Sequence, residues 1–468
     1  MIAFNRFTFY SLLLLLGFTA CQKDEDLEQK PPVVPPAEAT AYVQRVNNFI
    51  SQCMNRCYLW NELMPDIDWK YEYDSKAYFE KLLSEEDHFS YITDDLEGFL
   101  NSSQGIETTF GYSLAYQWRN DEQTKICAVV EYVYPNSPAA NANIKRGDLI
   151  LSLDDQDITL DNMYDLINKS SIKVGVSKYK DGQFLEPESM SLKQVVLTQN
   201  TVHTAQVLDI EGTKVGYLFY TSFIENFNSS LDKVFADFKK VGVSELILDL
   251  RYNFGGDEKA IINLCSHIAP AGICQSENII ISKIYNSILT DEMKENGSDV
   301  MSFTDASISD NLNLTRVFIL TSDQTYSASE VTLVGLAPYM DVIQIGEKTG
   351  GKYTGMKILM PLIEVDGDIY LDPVIGNWGV LPIILRYQNK NGEDPKGGLI
   401  PNHEVASFYL PMFELGDKQD PLIAKAVEII SGRPQVSARG HTGQSVEKKP
   451  FCHISSKFDE IKKNLFVK

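Results

Sequence analysis

From Tyr42 to Asn61 the apolar positions Val43, Val46, Phe49, Ile50, Cys53, Met54, Cys57 and Trp60 recur at intervals of three and four, which predicts an amphipathic helix. A second helical stretch around 77–83 completes a small helical N-terminal domain over 39–105. Between 106 and 199 the pattern changes to short β-type runs broken by turn residues, among them 126–130 and 149–153. After about 200, strands and helices alternate. Residues 215–219 read as a strand; Leu231, Val234, Phe235, Phe238 and Val241 share one helical face; Gly242 ends that helix. Leu246, Ile247 and Leu248 then form the continuous apolar run of a strand covered on both faces. A strand–helix–strand unit of this kind implies parallel pairing with a right-handed crossover. The runs 317–320 and 342–345 predict two more buried strands, and a helix around 422–430 closes an α/β domain over 200–432, built on a mixed or parallel sheet with crossover helices. The remaining 433–468 is a polar tail.

Composition narrows the class. With 468 residues the chain has room for two or three domains, and 44% hydrophobic with 23% charged residues is a globular balance. A formal charge of -22 argues against a nucleic-acid partner, because no basic patch is available to displace counterions. Residues 1–20 read as a targeting segment: Arg6, an apolar run across 12–16, and Phe18-Thr19-Ala20 before Cys21. Small residues before a cysteine resemble a bacterial lipobox. That likeness implies cleavage before Cys21, lipidation of Cys21, and a cell-envelope lipoprotein held by its lipid to the outer membrane, at the periplasmic face or the cell surface. Residues 21–38, charged and then proline-rich, suit an extended tether. Cys53, Cys57, Cys127, Cys265, Cys274 and Cys452 leave disulfides open. Cys53 and Cys57 lack a second pair at metal-site spacing and read better as small apolar residues.

Ser327, in Tyr-Ser-Ala-Ser-Glu (326–330), lies between a buried strand and a helix, where unsatisfied N–H groups can hold an oxyanion. A serine hydroxyl needs an adjacent base, and a lysine kept from water can be one because desolvation lowers its pKa. Lys352, in Gly-Glu-Lys-Thr-Gly-Gly-Lys (346–352), is the candidate. Each residue also has a plain structural reading: 327–330 as a capping box, Gly255-Gly256 as a tight turn, Lys352 as a solvated loop lysine. His88, His203, His267 and His403 lie in no recognisable catalytic context.

The combination is more specific than its parts. Ser-Pro-Ala-Ala-Asn-Ala-Asn-Ile-Lys-Arg-Gly-Asp (137–148) resembles a PDZ signature, with Asn143 where glycine is usual. It implies a PDZ domain over 106–199, with Phe110, Gly111, Tyr112 and Ser113 as the loop whose N–H groups hold a free carboxylate. Asp249 to Gly256, Ser327 to Glu330, Gly346 to Lys352 and Gly398 to Asn402 resemble, in order, the motifs of the C-terminal processing peptidases, family S41. That resemblance implies Ser327 as nucleophile, Lys352 as general base, an oxyanion hole from Ala328 and a glycine of the Gly255-Gly256 pair, and Ser329 as a helical serine. The implied activity is that of a serine endopeptidase acting on polypeptides whose free C-termini the PDZ domain captures, and the resemblance implies neither metal nor cofactor. Two positions depart from the pattern: Phe254 replaces a proline, and Met356 stands where bacterial members often place a lysine-orienting glutamine. Glu330 and Gln344 are the alternatives for that role. The rival function is a peptide-binding lipoprotein whose catalytic site is dead.

Overall fold

The computed structural model describes residues 37–433 except 182 and 305–308; the leader, Cys21, most of the tether and the tail lie outside the described residues. Thr40 Oγ1 accepts from the Val43 N–H and starts the helix Ala41–Cys57, whose buried face is Val46, Asn47, Ile50 and Met54. A shorter helix, Ser75–Lys81, is capped by Asp74. This helical region is not closed on itself. Its core takes in Ile375, Trp378 and Val380, and the strand Tyr91–Thr93 pairs antiparallel with Gly379–Leu381. Residues 87–93 are thereby fixed against the α/β domain.

The strands Ile106–Thr109 and Val195–Thr198 pair with each other and clasp the two ends of the β-rich region. Its sheet runs in the order Glu188–Lys193, Ser171–Ser177, Leu149–Leu153, Ile126–Val133, Tyr112–Trp118, so Tyr112–Trp118 is an edge strand. Ser137 caps the short helix Pro138–Asn141, accepting from the Ala140 N–H at 3.1 Å, and Asn143 takes a left-handed φ of 59°.

The central sheet orders Val202–Ile210, Thr213–Tyr220, Glu245–Asp249, Arg316–Thr321, Asp341–Gly346 and His403–Glu404. Its first pair is antiparallel and the rest are parallel. The helix Asn228–Val241 makes the expected crossover and ends at Gly242 with φ 80°. Alternate residues of each inner strand serve opposite cores: Leu246, Leu248, Val317 and Ile319 pack under Asn228–Val241, Glu258–Ile268 and Ala328–Leu336, while Ile247, Phe318 and Leu320 meet Pro421–Ser431. That double coverage is why these runs read as continuously apolar. A second, antiparallel sheet, ordered Val300–Ser302, Ile279–Tyr285, Ile383–Gln388, Thr354–Met356, gave no clear pattern in sequence. Arg251, wholly buried, bonds Asp249 through Nε (2.9 Å) and Asp420 through Nη1 (2.8 Å), pinning the last helix to the sheet. Cys53, Cys57, Cys127, Cys265 and Cys274 are free thiols. No described helix is long and apolar enough to cross a membrane.

Candidate active site

Arg316–Thr321 and Asp341–Gly346 are neighbouring parallel strands, so the loops leaving their C-terminal ends emerge side by side. One carries Ser327 and the other Lys352. Ser327 has φ 54° and ψ -115°, a strained conformation for a residue with a Cβ. Its surroundings over-determine it. The Tyr326 N–H and Ser329 Oγ both donate to the Asn253 carbonyl (3.1 and 3.0 Å), Thr325 Oγ1 donates to the Leu250 carbonyl (2.9 Å), and Ser322 Oγ donates to the Arg251 carbonyl. The serine loop is thus fastened to the 250–256 loop.

In that loop Gly255 has φ 105° and Gly256 φ 141°. A Cβ on Gly255 would lie 2.8 Å from the Ala328 nitrogen, and one on Gly256 would lie 2.0 Å from the Phe223 oxygen, so neither position admits a side chain. The Gly255 N–H donates to Asn253 Oδ1 at 2.8 Å. Gly256 is therefore the glycine of the pair whose N–H can serve an anion, together with that of Ala328, the first of its helix.

Glu330 is buried and accepts from four donors: the N–H groups of Ser327 (2.9 Å), Gly351 (2.7 Å) and Lys352 (2.8 Å), and the Thr349 hydroxyl. One carboxylate spans both loops. Burial pushes its pKa up while these bonds push it down. Lys352 is itself only 6% exposed, and burial brings its pKa down to about 8, with the charges of Asp87 and then Glu330 opposing. Its Nζ lies 5.1 Å from the centre of the Phe89 ring, which contacts Tyr326 edge-on at 6.4 Å. Phe254, where a proline was expected, tilts against the same Tyr326 ring at 6.3 Å.

Ser327, Lys352, Gly255, Gly256 and Met356 line one cavity of about 2180 Å³ that continues along the edge strand Tyr112–Trp118. The family model for peptidase family S41 matches residues 214–405, that for the S41 N-terminal domain matches 45–91, and that for a PDZ domain matches 129–174. The chain belongs to peptidase family S41.

The chain is 24% identical over 333 residues to a chloroplastic C-terminal processing peptidase of Tetradesmus obliquus, covering 68% of this chain and 64% of that one. It is 23% identical over 303 residues to a carboxyl-terminal-processing protease of Picosynechococcus, covering 64% and 65%. These matches span just under two thirds of the relatives' length. Among solved structures, a putative S41 protease from Bacteroides fragilis superposes with a TM-score of 0.68 at 26% identity, covering 82% of this chain and 97% of that one.

Within this S41 fold two assignments change. Gln344 does not attend the lysine: its Nε2 donates to Thr321 Oγ1 (3.1 Å) and the Leu399 carbonyl (3.2 Å), bracing the loops behind the site. Glu330 attends the backbone N–H of Lys352 rather than its amine. In the PDZ loop, the Gly111 N–H is taken by Thr109 Oγ1 (3.0 Å), and a Cβ on Gly111 would strike that of Ser137. Phe110 is buried, its carbonyl accepting from the Ala139 N–H, and the Tyr112 hydroxyl donates to the Leu166 carbonyl. Ser113 Oγ donates to Glu131 Oε2 (2.7 Å), and Gln324 Nε2 donates to Glu131 Oε1 (2.9 Å), so one buried carboxylate joins the PDZ edge strand to the segment before Ser327. Asp87 and Phe89 at the lysine were not foreseen. The sequence signal was present in Asp-His-Phe-Ser (87–90), a polar cluster between a helix and a short strand, but nothing local tied it to residue 352.

Proposed function

We propose that this chain is a serine endopeptidase in which Ser327 and Lys352 form the catalytic dyad and the PDZ domain presents substrate C-termini. One observation carries the reading: a strained serine at a helix start opens onto the same cavity as a buried lysine whose pKa burial lowers to about 8. A lysine so placed is neutral often enough near pH 8 to take the Ser327 proton. Ser327 Oγ then attacks the scissile carbonyl, the Ala328 and Gly256 N–H groups hold the oxyanion, and the Lys352 ammonium returns its proton to the leaving amine. Neutral again, Lys352 activates the water that releases the acyl group.

An extended peptide added to the open edge of Tyr112–Trp118 would lie in the cavity that leads to Ser327. Lipidation at Cys21 would hold the enzyme at the outer membrane; Cys21→Ser should move it from the membrane fraction to the soluble one.

A fluorophosphonate probe tests the chemistry, because only an activated serine reacts. Wild type and Ser329→Ala are expected to label and Ser327→Ala is not. Absence of labelling in folded wild type would favour a peptide-binding protein with a dead site. Amidating the C-terminus of a bound peptide should weaken PDZ binding, and equal affinity for acid and amide would remove carboxylate capture.

A further inference from the structure

The Asp87 carboxylate is split in its duties. Its Oδ1 accepts from the N–H groups of Phe89 (2.9 Å) and Ser90 (2.8 Å), which sets the turn that brings the Phe89 ring to Lys352. Its Oδ2 is buried and makes no close hydrogen bond among the described residues, the Tyr58 hydroxyl being the donor beside it, and the residue is 7% exposed. A carboxylate oxygen so weakly compensated is costly to bury, and a nearby cation relieves it. The turn cannot drift from the site, because Ser90 Oγ accepts from the Ile383 N–H (2.8 Å) and Tyr91–Thr93 is paired into the S41 domain.

We propose that Asp87 is the positioning residue of Lys352: its Oδ2, which the turn does not use, draws the amine toward the turn and stabilises the ammonium formed when Ser327 gives up its proton. This deepens the dyad reading and rests on it. Asp87 supplies what Met356 cannot, since a thioether does not compensate an ammonium. Two carboxylates act on Lys352, and they are not equivalent. Glu330, on the helix Ala328–Leu336, is saturated by four donors, whereas Asp87 Oδ2 has only the Tyr58 hydroxyl beside it. That hydroxyl accepts from the Ser84 N–H, and its pKa rises through burial first and the Asp87 charge second, with its hydrogen bond to Asp87 adding to the rise. Burial alone would leave Lys352 a weak base. The Asp87 charge restores basicity, and it opposes burial in setting the lysine's pKa.

The sign of the test follows. Removing the negative charge lowers the lysine pKa, so the rising limb of acylation rate against pH moves to lower pH. Asp87→Asn keeps an Oδ1 acceptor for the turn and removes the charge. Its limb is expected to fall by about one pH unit, with the plateau rate down by roughly tenfold or more. Asp87→Glu should return the limb to its wild-type position. A residue that only shaped the turn would lower the rate at every pH and leave the limb in place, and that result would overturn the proposal. If Asp87→Asn does not fold, Asp87→Ser keeps a turn acceptor without the charge and serves the same comparison.

Side-chain NMR titration of Lys352 in a Ser327→Ala background, with and without Asp87→Asn, reads the coupling independently of turnover. A lysine whose titration ignores Asp87 sinks the inference, whether or not wild type acylates. A wild type that fails to acylate while its lysine does respond to Asp87→Asn sinks the dyad reading instead.

Discussion

Replacing Glu330 by glutamine probes the joint between the two loops. The carboxylate receives three N–H groups at 2.7–2.9 Å and one hydroxyl, from Ser327 on one loop and Thr349, Gly351 and Lys352 on the other. Glutamine offers one oxygen in place of two, so its amide nitrogen must turn toward one of those donor pairs. The Ser327 and Lys352 N–H groups share Oε2 and the other two donors share Oε1. The least costly arrangement keeps the oxygen on the first pair and lets the Thr349 hydroxyl accept from the amide. The Gly351 N–H then faces another donor. Losing charge assistance in two bonds and stranding one buried N–H costs about 3 kcal/mol. Much of this is relieved by the Lys352 loop moving away, and a displacement of about 1 Å is worth on the order of a hundredfold in rate. Fluorophosphonate acylation of Glu330→Gln should therefore slow by roughly that factor, with a lower melting temperature and unchanged peptide affinity at the PDZ domain. Thr349→Val removes one donor to Glu330 and also the acceptor of the Leu399 N–H (2.7 Å), so it should cost about 2 kcal/mol while leaving the carboxylate's other three donors in place. If Glu330→Gln acylates at the wild-type rate and melts at the wild-type temperature, the carboxylate is not what holds the loops in register.

Acylation should rise with pH around a midpoint of about 8, because only the neutral Lys352 amine accepts the Ser327 proton; Lys352→Arg should be nearly as inactive as Lys352→Ala, and a flat profile would remove the lysine from the mechanism. Gly255→Ala should abolish acylation while leaving the circular dichroism unchanged, since its Cβ would lie 2.8 Å from both the Ala328 nitrogen and Ser327 Cβ; wild-type labelling would show that the serine loop can yield. Arg251→Met strands the carboxylates of Asp249 and Asp420 in the core and should lower unfolding stability by about 3–5 kcal/mol in urea, more than Asp420→Asn; a smaller loss for Arg251→Met would contradict the buried network.

Much of the site was legible because it is local in sequence. The apolar runs before Ser327 and Lys352 are strands with both faces buried, and the glycines mark positions where a Cβ would meet backbone: Gly256 against Phe223, Gly346 against Thr321. Glu330 read correctly as reaching back to the Ser327 N–H, a contact three residues long. Its other donors are some twenty positions away, and no spacing rule reports them. Gln344 read as a candidate partner for the lysine because it is a polar group able to replace the missing glutamine, yet a strand residue's side chain goes where the pleat sends it, here to Thr321 and Leu399.

The sequence by itself determined the first helices, most strands of the central sheet and their order, the apolar faces of those elements, and that a serine and a lysine each follow a buried strand. Those properties rest on periodicity and on short-range sterics, which act over a few residues. The second sheet and the adjacency of those two strands came from the structure. Only the tertiary structure decided that the helical N-terminal region shares its core with residues 375–380, that the edge strand Tyr112–Trp118 opens into the cavity at Ser327, and that the turn set by Asp87 brings Phe89 to Lys352. Such contacts join positions far apart along the chain. They exist because burying the apolar faces of distant elements outweighs the entropy of closing the loops between them, and that balance leaves no periodic mark in the sequence.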